Sequence, residues 1–172
     1  AFLNLDCSFI RDTMFTVTSA PGAARSYAFS VDGSHQLICN GLVPDRVNVS
    51  IGTTGEYFGP RLTYNGSSNH ASIIDQLTSD FTEYRSNGTF NKTGTYVLGV
   101  NQNRTYTNNL SIQNTAILYD KATQMINSGP STFTFSGTFN NGDSFTRTGT
   151  ITFTRNKPAT VTVNGQDYPI SW

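Results

Sequence analysis

Residues 132–154 read TFTFSGTFNNGDSFTRTGTITFT, and their period of two decides the fold class. Phe133, Phe135, Gly137 and Phe139 fall on one side of an extended chain, with Thr132, Thr134, Ser136 and Thr138 on the other. Asn140-Asn141-Gly142-Asp143 makes a turn. Phe145, Arg147, Gly149, Ile151 and Phe153 then alternate with Ser144, Thr146, Thr148, Thr150, Thr152 and Thr154. Neighbouring side chains of a strand point to opposite faces, so this pattern predicts an antiparallel hairpin with one apolar and one wet face. After the break at Asn156-Lys157-Pro158, Thr160 to Val163, the turn Asn164-Gly165, and Gln166 to Trp172 predict another hairpin. Pro169 places the last strand at an edge or a frayed end, because proline cannot donate to a ladder.

The same signals extend upstream. Asn-Gly recurs at Asn40, Asn65, Asn87, Asn141 and Asn164, and Asp32-Gly33 adds a sixth dipeptide suited to type I′ turns. Short alternating pieces lie between them: Cys7 with Phe9, Phe15 with Val17, Tyr27 to Val31, Leu37 to Cys39, Val47 to Ile51, Tyr96 to Val100, Leu110 to Ile112, and Ala116 to Tyr119. This spacing predicts an all-β, antiparallel β-sandwich of immunoglobulin-like or jelly-roll type, in one domain spanning residues 1–172. One segment departs: Ala71, Ile74, Leu77, Phe81 and Tyr84 follow helical spacing, which predicts a short helix at 70–79.

Composition narrows the function classes. Ser, Thr, Asn and Gly make up 74 of the 172 residues, and only 13% are charged, with formal net charge zero. A neutral chain lacks the basic footprint of non-specific nucleic-acid binding, and no apolar run approaches a membrane span, so neither nucleic acid nor membrane insertion is expected. The opening Ala1 to Asp6 has no basic start and no apolar run, and reads as a mature N-terminus. Cys7 and Cys39 are either two buried thiols or one bridge; low lysine, abundant Thr and Asn, and the lack of other cysteines favour the bridge and a secreted protein. Six Asn-x-Ser/Thr sequons occur, but a chain this rich in Ser and Thr gives several by chance, so they do not establish glycosylation.

Catalytic chemistry has little to work with. His35 and His70 are the only imidazoles and form no metal-binding pattern, so each reads as a surface histidine, and no metal or cofactor is expected. Ser67, Ser68 and His70 lie close in sequence but lack a Gly-x-Ser-x-Gly elbow, and the carboxylates are scattered singly, so an enzyme is not expected. Polar loops beside aromatics remain. Amides and carboxylates pair with sugar hydroxyls, and an aromatic face covers the C–H side of a sugar ring. The candidate ligand-binding residues are Glu56, Tyr57 and Phe58 in a Gly- and Pro-flanked loop, Tyr64 and Asn65 at a turn, and Asn101, Gln102, Arg104 and Tyr106 in an amide-rich loop.

A first cysteine close to the start, a second ending a hairpin strand, and Thr/Asn/Gly-rich β-sequence of this length together resemble the receptor-binding lectin domains of chaperone–usher fimbrial tip adhesins. The resemblance implies a bridge between the first and second strands, a surface location at a fimbrial tip, and binding of host-surface carbohydrate on a glycoprotein or glycolipid. It also implies a pilin domain or neighbouring fimbrial subunit as partner. The alternative is a structural fimbrial subunit or a protein-binding surface glycoprotein domain. Family pilins carry a longer segment before the first cysteine than the six residues here, which favours the tip domain.

Overall fold

A computed structural model describes residues 7, 9–99, 104–155 and 158–170. Ten strands follow one another: β1 (Ile10–Thr18), β2 (Ser26–Asn40), β3 (Val43–Phe58), β4 (Leu62–Asp75), β5 (Glu83–Leu98), β6 (Arg104–Asp120), β7 (Ile126–Phe139), β8 (Ser144–Thr154), β9 (Ala159–Val163) and β10 (Gln166–Ile170). Each pairs antiparallel with the next, giving one open sheet in the order β1 to β10. The all-β antiparallel expectation holds. Hydrogen bonding nevertheless joins the strands into a single meander, not two sheets, and the order contains none of the crossovers of a Greek key or jelly roll.

The residues 132–154 hairpin forms as its alternation requires: Phe133 pairs with Gly149, and Thr134 with Thr148. Asn164 (φ 51°) and Gly165 (φ 78°) form the two-residue turn between β9 and β10, both in the left-handed region that type I′ needs. Pro169 lies in β10, the last strand of the sheet.

Three of the expected turns are not turns. Asp32-Gly33, Asn65-Gly66 and Asn87-Gly88 lie inside β2, β4 and β5. The strands are therefore longer than the sequence pieces suggested; β2 alone runs 15 residues through Asp32-Gly33. His35 sits in its interior, opposite Val49. At Gly66 and Gly88 the glycine is needed for space, not for turning. A Cβ at Gly66 would meet the Tyr64 ring and the Thr93 carbonyl, and one at Gly88 would lie 2.6 Å from Ser72 Cβ.

The helix expected at 70–79 is also absent. Ala71 to Asp75 continue β4, with Ala71 opposite Thr89 and Asp75 opposite Arg85. Residues 76–82 are the connection to β5, entered through Gln76 at φ 61°. Helical spacing arose because a strand end and a returning loop bring Ile74, Leu77 and Tyr84 to one place. Leu77 is buried with Leu37, Val47 and Val49, and Phe9, Cys39, Ile51, Ile74 and Tyr84 pack around them. Arg85 clasps Asp75 through two nitrogens (2.9–3.2 Å), and Lys121 Nζ donates to the Thr78 carbonyl (2.6 Å) over the Tyr84 ring. The Cys7–Cys39 bridge, with Cα atoms 5.6 Å apart, closes this end of the sheet.

Register sorts the side chains cleanly. One face carries Phe15, Val31, Leu37, Ile51, Phe90, Ile112, Phe133 and Ile151, and the other is dominated by Ser, Thr and Asn. The core described above occupies only the disulfide end of the apolar face.

Candidate functional site

The expected site residues divide between the two faces. Tyr57, Tyr64 and Tyr106 come from three separate stretches, yet register places them in one transverse row: Tyr27, Tyr57, Tyr64, Tyr96, Tyr106, Phe139. All six lie on the apolar face, at the end of the strands away from the bridge. Neighbouring rings meet at 4.8 Å (Tyr64–Tyr96), 6.0 Å (Tyr96–Tyr106) and 5.0 Å (Tyr106–Phe139). The next row inward is Phe29, Gly55, Gly66, Gly94, Asn108, Gly137, Phe145, and rings lie down over its glycines. A Cβ at Gly94 would be 2.7 Å from the Tyr64 ring, and one at Gly137 would strike Tyr106. Covering glycine with a neighbouring ring restores the packing a missing side chain loses. Partial burial there raises the Tyr106 phenol above its ordinary range.

Glu56 and Asn65 face the other way. They pair across β3 and β4 on the polar face, with Phe58 exposed beyond them, opposite Thr63. Neither group sits in a loop, because β3 runs unbroken to Phe58. Arg104 opens β6 opposite Leu98, on the aromatic face, and is exposed. Asn101 and Gln102 lie outside the described residues.

Three consecutive rows on the polar face make a hollow. They are Met14–Asp32–Gly52–Asn69–Asn91, Thr16–Ser30–Thr54–Ser67–Thr93, and Thr18–Ala28–Glu56–Asn65–Thr95. Gly52 stands at the centre of the first and contributes no side chain. A depression of about 490 Å³ opens there, lined among others by Met14, Asp32, Asn69 and Asn91. A second, of about 330 Å³, adjoins it through Ser30, Thr54 and Ser67 and adds Glu56 and Asn65. Hydroxyls in the hollow are tied in pairs across the strands, Thr16 to Ser30 (2.9 Å) and Ser67 to Thr93 (3.2 Å). The described lining includes two carboxylates, three amides and no lysine or arginine.

That set suits a neutral, hydroxyl-rich ligand. The carboxylates accept, the amides both donate and accept, and Met14 with the threonine methyls offers an apolar patch. An anion would meet two carboxylates with no cation to balance it. Asp32, Gly52, Asn69 and Asn91 were missed in the sequence because Asp32-Gly33 reads as a turn, which breaks β2 where it runs on. Reading the alternation through that dipeptide would have put Asp32 in line with Ser30 and Ser34.

His70 Nε2 is 3.1 Å from Ser72 Oγ on the apolar face, and Ser72 is buried. Among the described residues no cluster of three or more His, Cys, Asp or Glu side chains forms a metal-binding set. No helix of the described residues is long and apolar enough to cross a membrane. Comparison with protein-family models, with characterised proteins and with solved structures found no match.

Proposed function

We propose that this chain is an extracellular adhesin-type domain that binds a neutral glycan in the polar-face hollow around Gly52. The observation that carries the reading is the convergence of Asp32, Asn69 and Asn91 around Gly52, a strand position that has no side chain, with Glu56 and Asn65 lining the adjoining depression. The bridge between Cys7 and Cys39 is compatible with an extracellular protein. Host-surface carbohydrate as ligand, and a fimbrial tip with an adjoining pilin domain or subunit as setting, follow from the resemblance to fimbrial adhesins.

The test is a glycan array with the oxidised domain, followed by titration of any sugar retained. Asn69→Ala and Asn91→Ala each weaken binding at least tenfold, and Tyr96→Ala does not. An array with no retained glycan overturns the reading. Equal losses in the Tyr96 variant move the site to the aromatic row.

A second reading has its own observation. All nine residues of β1 are exposed, and its outer edge has no partner strand among the described residues. A structural subunit would use that edge to accept a strand from a neighbour. A synthetic extended peptide that raises the thermal midpoint without any glycan ligand favours this reading.

A further inference from the structure

We infer that the apolar face of the sheet is the contact between two copies of this chain, so that the second layer of a sandwich comes from a partner of identical sequence. The inference does not rest on the glycan reading, whose hollow lies on the opposite face.

Area is the first argument. A compact monomer of 18.8 kDa exposes about 8,300 Å² by the usual size scaling. This chain exposes 11085 Å². The difference, about 2,800 Å², exceeds the roughly 1,000 Å² or more that each partner of a stable homodimer surrenders. A single-layer sheet exposes both faces, and part of the excess lies on the apolar one. The chain's own 76–82 connection and Phe9 cover the disulfide end of the apolar face. The opposite end carries the aromatic row, where Phe15, Tyr27, Phe29 and Phe139 are exposed. A sheet with one apolar face must pack it against another layer, and no other layer exists among the described residues.

Shape is the second argument. Rings laid over Gly55, Gly66, Gly94 and Gly137 flatten the aromatic end of this face, which suits packing against another such surface face to face. A two-fold axis needs only this self-complementarity. Charge sets the salt dependence. Apart from the Asp45–Arg46 pair near the bridge, the charged side chains that register puts on this face are basic: Arg11, Lys92, Arg104 and Arg147. Lys92 Nζ lies 5.4 Å over the Tyr64 ring, within its own face. Arg11 is on edge strand β1 and Arg104 at the start of β6, whereas Lys92 and Arg147 share one transverse row with Phe15, Val31, Leu110 and Phe135. Two identical basic faces repel, and salt screens repulsion, so association of two copies strengthens with salt. An acidic partner would show the reverse.

Sedimentation equilibrium of the oxidised chain at 10–100 μM tests this. A mass of twice 18.8 kDa is expected, with a dissociation constant at 0.5 M salt equal to or tighter than at 0.05 M. Tyr96→Asp gives a folded monomer, judged by an unchanged far-ultraviolet spectrum. A monomer in the wild type overturns the inference. So does a dimer that survives Tyr96→Asp, which places the contact at the sheet edges. If Tyr96→Asp does not fold, tyrosine nitration of the wild type decides. Tyr64, Tyr96 and Tyr106 must react more slowly at 100 μM than at 0.1 μM, and equal rates overturn the inference.

Discussion

Gly52 lies open on the polar face, with no heavy atom nearer than 3.9 Å to the position of a Cβ. Its φ is not in the left-handed region, so a side chain there meets neither clash nor strain. Gly52→Leu is expected to fill the hollow and abolish glycan binding, while the urea midpoint moves little. Gly88 is the opposite case. A Cβ there would lie 2.6 Å from Ser72 Cβ and 2.8 Å from Ser72 Cα, and backbone cannot give way. Gly88→Ala therefore destabilises by about 1–3 kcal/mol, despite the usual entropic gain of replacing glycine, and urea unfolding reads the loss. Both residues look alike in the sequence. One is a missing side chain that opens a hollow, the other a missing side chain that lets strands approach.

At the scale of the element, the Asp120–Met125 turn and the Cys7–Cys39 bridge make separate predictions. The Asp120 carboxylate accepts from the Thr123 amide (2.8 Å), the Thr123 hydroxyl (3.1 Å) and the Ala122 amide (3.0 Å). The Thr123 amide bond, then the Thr123 hydroxyl, hold its pKa below the ordinary aspartate value, with a smaller contribution from Arg155 at 3.5 Å. A lowered carboxyl contributes stability that is present above its unfolded pKa and lost as pH falls through the folded value. The stability gap between the wild type and Asp120→Ala is thus expected to be constant from pH 5 to 7 and to close in strongly acid solution, as urea midpoints across pH will show. Replacing both cysteines by serine opens a loop spanning 32 residues and costs roughly 3–4 kcal/mol, read the same way.

These elements also show how far the chain could be read unaided. The β7–β8 hairpin and the Asn164-Gly165 turn were legible because alternation and turn residues agree there. The long strands β2, β4 and β5 were not, because Asp32-Gly33, Asn65-Gly66 and Asn87-Gly88 carry turn chemistry that cross-strand packing overrides. At Ala116 (φ 51°) the ladder between β6 and β7 is interrupted, and the Ala116 amide bonds to Asn87 Oδ1 (2.8 Å). Pro130 lies opposite that interruption, which lets a proline sit inside β7 without costing a regular ladder bond. Nothing local in the sequence announces that compensation.

On the scale of the whole molecule, the thermal midpoint is expected to rise with protein concentration, because two copies unfold into separate chains. A scanning-calorimetry series over a hundredfold range of concentration checks this. In the dimer both hollows face outward, so a surface bearing many copies of the glycan is held far more tightly than the single sugar. Surface plasmon resonance at high and low glycan density reads that difference, and Tyr96→Asp removes it while leaving single-site affinity intact.

By itself the sequence determined the antiparallel strand class and the two faces, because period-two alternation is a local property that burial of one face enforces along each strand, and it favoured the Cys7–Cys39 bridge. It also named Tyr57, Tyr64 and Tyr106, with Glu56 and Asn65, among the candidate ligand-binding residues. Only the tertiary structure decided that these belong to opposite faces. Side chains join a row through the register of strands far apart in the chain, and register depends on where each strand turns. A glycine read as a turn where the strand runs on shifts every assignment beyond it, so the aromatic row and the hollow around Gly52 became visible only once all ten strands were laid side by side.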